Sequence, residues 1–204
     1  MTDLPLHPEP PASPPDPGLV ALGRFQPFHH GHALLIKAAE EWRRSNAPEM
    51  TLVIAIGSSN RPESIENPWS SQERVEMIDS WLNEVGYIDV SIVSIPDIED
   101  PPNWVSHAEN YHGPAGVFFT SDNPSAELYE SAGWPVVLTS LEQRGNFEGW
   151  RVRETARMMS TVDDVEAVRT VLSHSIPEKV VDYLITQNSL RRLAFLGEGG
   201  EPVG

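Results

Sequence analysis

The stretch that decides the fold is LVALGRFQPFHHGHALLIKAAEEW, residues 19–42. Leu19, Val20, Ala21 and Leu22 form an uninterrupted apolar run, the pattern of a strand buried on both faces. Gly23 breaks the run and Gln26-Pro27-Phe28 turns the chain. From Gly31 onward Ala33, Leu34, Ile36, Ala38 and Ala39 take up helical spacing. His29 and His32 therefore fall where a strand gives way to a helix. A helix N-terminus presents unpaired N–H groups and the positive end of the aligned peptide dipoles, which suits an anion such as phosphate. Arg24, two imidazoles and a glycine at one such junction point to polyphosphate chemistry. Either histidine taken alone also reads as a helix cap or a surface residue.

Working outward, residues 51–58 are a second buried strand that ends in Gly57-Ser58-Ser59. Ser70 and Glu73 form a capping-box pattern ahead of Val75, Met77, Ile78, Trp81, Leu82 and Val85, and Gly86 closes that helix. Further strands are expected over 90–95, 116–120 and 135–139, with helices over 104–111 and 124–131. Helices over 152–159, 163–172 and 177 to about 195 complete the chain. Apolar strands alternating with helices predict an α/β fold: a doubly wound, Rossmann-like parallel sheet of five strands with a helical C-terminal segment. In such sheets ligands bind at the carboxyl ends of the strands, where strand order switches. Residues 1–18 hold seven of the nineteen prolines and few apolar residues, which predicts a disordered tail. A single domain over 19–197, its helical part 151–197, and a flexible end at 198–204 are expected to follow.

Composition narrows the function. The formal net charge is −16 over 204 residues, which argues against a nucleic-acid surface. An acidic protein that handles an anionic nucleotide must concentrate its few cations. They are twelve arginines and two lysines, and Arg144, Arg151, Arg153 and Arg157 fall within 14 residues. Zero cysteines remove disulfides, thiolate metal sites and cysteine nucleophiles. No apolar run approaches the roughly 20 residues needed to span a bilayer. The opening MTDLPLHPEP lacks the basic and apolar regions of a secretory signal, so a cytoplasmic protein without membrane partners is expected.

The decapeptide GRFQPFHHGH, residues 23–32, resembles the signature of the HxGH nucleotidyltransferase superfamily. It is most similar to the archaeal-type nicotinamide-nucleotide adenylyltransferases. Four further segments resemble the same family. In ENPWSSQERVEM, residues 66–77, Arg74 takes the place of an anchoring arginine, and a surface salt bridge on a capped helix is the plainer reading. Pro96-Asp97 is followed by Trp104, seven residues after the aspartate. TSDNP, residues 120–124, matches a segment near adenosine or ribose, and also reads as a turn with a helix cap. RGNFEGWRVR, residues 144–153, matches the second phosphate motif, usually (Ile/Tyr)-Ser-(Gly/Ala)-Thr-x-x-Arg. There Glu148 and Trp150 replace the usual Ser and Thr, so two hydroxyl donors are missing, and Glu66 stands where a basic residue can occur.

The resemblance implies transfer of the adenylyl group of ATP to nicotinamide mononucleotide, giving NAD and pyrophosphate. It implies His29, His32, Arg24 and Arg153 as the catalytic set. It places Gly23, Phe25, Gln26, Gly31, Asn123, Arg144, Gly149 and Val152 around ATP and its phosphates. Ser58, Arg74, Asp97 and Trp104 would surround the mononucleotide, Asp97 accepting from the amide and Trp104 stacking on the ring. Without the resemblance, Trp104 reads as a core residue. No dedicated carboxylate cage is visible, so Mg²⁺ is expected to arrive with ATP rather than at a protein metal site. Relatives assemble, so a homo-oligomer is expected. Two alternatives remain: an adenylyl or cytidylyl transferase acting on another phosphate acceptor, and a nucleotide-binding sensor with little turnover.

Overall fold

The computed structural model describes residues 4–13, 15–141 and 147–196, so Arg144 lies outside the described residues. In chain order the elements are β1 (Gly18–Gly23), α1 (His30–Asn46), β2 (Thr51–Ile56), α2 (Ser71–Val85), β3 (Val90–Ser94), α3 (Trp104–His112), β4 (Val117–Thr120) and α4 (Asn123–Ser131). β5 (Val136–Leu138), α5 (Gly149–Met159), α6 (Val165–Leu172) and α7 (Glu178–Thr186) follow, and short 3₁₀ turns occupy Pro101–Asn103 and Arg191–Ala194. The chain groups into two compact units. A sheet unit takes Met1–Arg24, His32–Arg61 and Tyr87–Glu142, and a helical unit takes Phe25–Gly31, Pro62–Gly86 and Gln143–Gly204.

In the sheet unit all five strands pair in parallel, in the order β3-β2-β1-β4-β5. The two central strands are the continuous apolar runs of the sequence: Leu19, Val20, Ala21 and Leu52 to Ile56 are essentially solvent-free. Strand order reverses at β1, and there the sheet opens. β1 pairs with β2 along its whole length to Gly23↔Ile56, but its register with β4 ends at Val20↔Phe118. That is the topological switch point at which open α/β sheets bind ligands. The core on one side gathers Val20, Val53, Phe118, Tyr129 and Trp134, with Phe118 and Tyr129 stacked at 3.7 Å. His112 is buried beside them and joins the Tyr129 hydroxyl at 2.9 Å.

On α1 the buried residues are Ala33, Leu35, Ile36, Ala39, Glu40 and Arg43, while Leu34, expected to face inward, is exposed. The buried Glu40 is held in a fork by Arg43 at 2.7 and 3.0 Å and by Arg44 at 2.6 Å. Arg43 also donates to the Pro48 and Met50 carbonyls, so one ion pair closes the α1–β2 loop.

In the helical unit the capping box read from the sequence is present. Ser70 accepts from Glu73 N–H, the Glu73 carboxylate accepts from Ser70 N–H, and Gly86 ends α2 in the left-handed region at φ 67°. Glu73 also takes both guanidinium nitrogens of Arg192, at 2.6 and 3.0 Å, and Arg192 donates to the Pro68 carbonyl. The last helix is shorter than its apolar pattern suggests. α7 stops at Thr186 because Asn188 turns left-handed at φ 51°, with Ser189 N–H donating to Leu184 and Asn188 N–H to Ile185. This is the hydrogen-bond pattern of a Schellman cap with asparagine in the glycine position.

Candidate active site

The helical unit carries Phe25–Gly31 of the decapeptide and the start of α5. Phe25 leaves β1 with φ 51°, a left-handed conformation that is costly for a bulky residue and tends to persist where function requires it. Surrounding packing holds it there. Phe25 and Phe28 are fully buried and stack at 6.0 Å, and Phe28 continues onto Trp81 at 5.0 Å. The Gln26 side chain pairs with both backbone groups of Trp69, donating to its carbonyl at 2.7 Å and accepting from its N–H at 3.1 Å. Gln26 is thereby a brace for the loop. His30 is fixed too: its backbone N–H donates to Ser175, and its Nε2 lies 3.1 Å from the Ser173 carbonyl.

This leaves His29 aimed at the start of α5. Its ring lies close to Gly31, where an added Cβ would come within 3.0 Å of His29 Cε1 and of Phe147 Cβ. A Cβ at Gly149, the first residue of α5, would lie 3.8 Å from His29 Nε2 and 3.4 Å from Arg153 Nη1. Arg153 Nη1 in turn donates to the Gln26 carbonyl at 3.0 Å, which fixes the guanidinium one turn into the helix. An imidazole, a guanidinium and a helix N-terminus therefore meet at Gly149, the donor set an anionic phosphate requires.

Electrostatics set the form of His29. Burial, followed by the neighbouring His30 and Arg153 charges, lowers its pKa to about 4, so the imidazole is neutral at pH 7. In that form the imidazole can offer an anion a hydrogen bond rather than a charge, while the neighbouring Arg153 carries the positive charge. Two other expected residues are buried on helices. Val152 is buried and its N–H donates to the Glu148 carbonyl, so the amides that precede the intrahelical bonds are those of Gly149 and Trp150. Arg74 is fully buried on α2 and donates to the Ser70 carbonyl. Glu148 is held by Arg151 at 2.8 Å, and the same guanidinium lies over the exposed Trp150 ring at 5.1 Å.

The sheet unit holds the remaining residues. Gly23 ends β1, Arg24 follows it exposed, and His32 lies in the first turn of α1. Ser58 follows β2 at φ 53°, a second left-handed non-glycine at a strand end. After β4, Thr120 accepts from Asp122 N–H, Asp122 caps α4 through Ser125, and Asn123 is exposed. This is the turn-and-cap arrangement weighed from the sequence.

After β3, Asp97 is tied to the loop after β2 by residues the sequence reading did not single out. The Asn60 amide brackets the Asp97 backbone, donating to its carbonyl at 2.9 Å and accepting from its N–H at 2.7 Å. Arg61 Nε donates to Asp97 Oδ2 at 2.7 Å. Ser59 N–H donates to the Ile95 carbonyl, and His107 Nε2 contacts the Pro96 carbonyl at 2.9 Å. Trp104 opens α3 half-buried, edge-on to Tyr129 at 6.3 Å. Only the polar run SSNR, residues 58–61, hinted at this clamp. Carbonyls from the N-terminal segment reach the same region, His7 accepting from Ser59 Oγ and Pro8 from the Tyr111 hydroxyl.

The Cytidylyltransferase-like family matches residues 20–109, the span from β1 into α3. A nicotinamide-nucleotide adenylyltransferase of Methanococcus aeolicus is 30% identical over 175 residues, covering 84% of this chain and 92% of that protein. The enzyme of the same name from Archaeoglobus fulgidus is 31% identical over 177 residues, covering 84% and 92%. The chain belongs to the nicotinamide-nucleotide adenylyltransferase family. Two solved structures of a bifunctional NMN adenylyltransferase/ADP ribose pyrophosphatase from Francisella tularensis share the fold of this family member. Their TM-scores are 0.63 and 0.65 at 19% identity, over 88% of this chain and 52% of theirs. The first of these was crystallised with AMP and a manganese ion. Among the described residues no helix is long and apolar enough to cross a membrane.

Proposed function

We propose that this chain transfers the adenylyl group of ATP to the 5′-phosphate of nicotinamide mononucleotide, forming NAD and pyrophosphate. The observation that carries the reading is the convergence of His29 and Arg153 on the first residue of α5. A phosphate oxygen of the mononucleotide attacks the α-phosphorus of ATP, the new O–P bond forms, and the bond to the β-phosphate oxygen breaks. The attacking oxygen is already ionised at neutral pH, so no side chain need act as nucleophile or remove a proton. The protein aligns the reactants and stabilises charge on the α-phosphate and the leaving pyrophosphate.

His29 and Arg153 take the phosphate role in the helical unit, with the Gly149 and Trp150 amides supplying donors that the missing Ser and Thr hydroxyls would have given. In the sheet unit Arg24 and His32 are assigned to phosphate, and Asp97 and Trp104 to the nicotinamide. Gln26, Arg74 and Val152 act as braces through the hydrogen bonds and burial described above. Among the described residues no group of three or more His, Cys, Asp or Glu side chains could hold a metal ion. Mg²⁺ is read as part of the substrate, carried by the triphosphate oxygens.

The test is pyrophosphate release with ATP and nicotinamide mononucleotide, with NAD identified as the second product. Stoichiometric NAD and pyrophosphate are expected. Binding of ATP without release would leave a sensor, and release only with another phosphate acceptor would move the chain to a different activity of the superfamily.

A further inference from the structure

Arg61 and Asp97 present a pair of hydrogen-bonding edges that neither residue offers alone. Arg61 Nε is committed to Asp97 Oδ2 at 2.7 Å, in a pair whose side chains are 37% and 18% exposed. Among the described residues the Arg61 Nη groups and Asp97 Oδ1 carry no hydrogen bond. The two loops are held in register by Asn60, which neighbours Arg61 and brackets the Asp97 backbone. A donor edge and an acceptor edge thus stand side by side on a rigid support. A primary carboxamide is their complement: its N–H₂ gives a proton to Oδ1 and its oxygen accepts from Nη. A carboxylate satisfies the guanidinium but sets an anion against Asp97, a like-charge contact that costs affinity.

We infer that Arg61, paired with Asp97, reads the ring substituent of the mononucleotide and makes this enzyme favour the amide over the acid form. This rests on the assignment of Asp97 and Trp104 to the nicotinamide. Arg61 is then a specificity-determining residue, and it also sets how far the acid form is tolerated, because its guanidinium is the counter-charge closest to Asp97.

The experiment measures kcat/KM with saturating ATP for nicotinamide mononucleotide and for nicotinic acid mononucleotide, in the wild type, Arg61→Ala and Asp97→Asn. The wild type should favour the amide by about tenfold or more. In Arg61→Ala the amide should lose about tenfold, one charge-assisted hydrogen bond, and the acid about a hundredfold, so the ratio rises further toward the amide. Asp97→Asn replaces the repelling oxygen with a neutral amide, and the ratio should move at least tenfold toward the acid. Opposite movement of the ratio in the two variants is an outcome that a general loosening of the loop would not give. A ratio that stays put in both variants, or a wild type that favours the acid, overturns the inference while NAD synthesis itself stands. If Arg61→Ala does not fold, the direction of the ratio in Asp97→Asn decides alone. Failure of the wild type to make NAD from either form would instead sink the assignment on which the inference rests.

Discussion

In the helical unit, the residues assigned to phosphate are a buried neutral imidazole, a guanidinium that gives one N–H to Gln26, and the N-terminus of a helix. In the sheet unit, the residues assigned to the nicotinamide are an aspartate and an arginine already joined at 2.7 Å. The first group brings a guanidinium, helix amides and an imidazole N–H together, donors that suit a multiply charged anion. The second is balanced in charge and offers a donor beside an acceptor, as a neutral carboxamide requires. In the proposed function phosphate is met by a cluster of donors, and the amide by a donor paired with an acceptor. The two regions should therefore fail in different ways when altered.

The largest effect is expected at the phosphate residues. Arg153→Ala should lower kcat/KM for ATP by about 10²–10³, the scale of losing one preorganised donor to developing charge, and leave the amide-to-acid ratio where it was. A shift in that ratio would blur the distinction between the two regions. The next effect concerns pH. Folded His29 has a pKa near 4, against an ordinary value near 6.5. Between those values the unfolded chain holds a proton that the folded chain refuses, so stability is constant above about pH 6.5 and falls as pH drops toward 4. The loss from this one residue is about 3 kcal/mol over the full window. Urea midpoints at pH 7.5 and 4.5 should fall less in His29→Gln than in the wild type. Equal losses would mean that the histidine charges without penalty in the folded state. The smallest effect is expected at the ring-stacking residue. Trp104→Ala should raise KM for the mononucleotide by about tenfold with little change in KM for ATP, the size of one lost aromatic contact. A change confined to ATP would contradict the role assigned to the indole.

How much of this was legible in the sequence differs between the regions as well. The strand–turn–helix of the decapeptide is local, so periodicity and glycine placement reveal it. The same holds for the Ser70–Glu73 capping box and Gly86, whose partners lie within a few residues. The Asn60 and Arg61 clamp shows in the sequence only as a polar run, because its partner is 36 or 37 residues away in another loop and no spacing rule joins them. Burial is hard to read where a polar or motif residue packs inward, as Arg74 and Val152 do, each with a hydrogen bond into the start of its own helix. The end of α7 was missed because apolar residues continue past it while Asn188 reverses the backbone.

Arg192 lies 119 positions after the Glu73 carboxylate it grips, and Glu73 belongs to the box that starts α2. A ribosome therefore delivers the helix start long before the cation that locks it. All the chain assigned to the sheet unit is translated by residue 142, while the helical unit waits for Gln143–Gly204, the larger part of it. Nascent chains should pass through a stage with the parallel sheet complete and α2 capped but unclasped. Truncation before Arg192 would hold the molecule at that stage, with Glu63 and Glu73 left as neighbouring anions without their shared arginine.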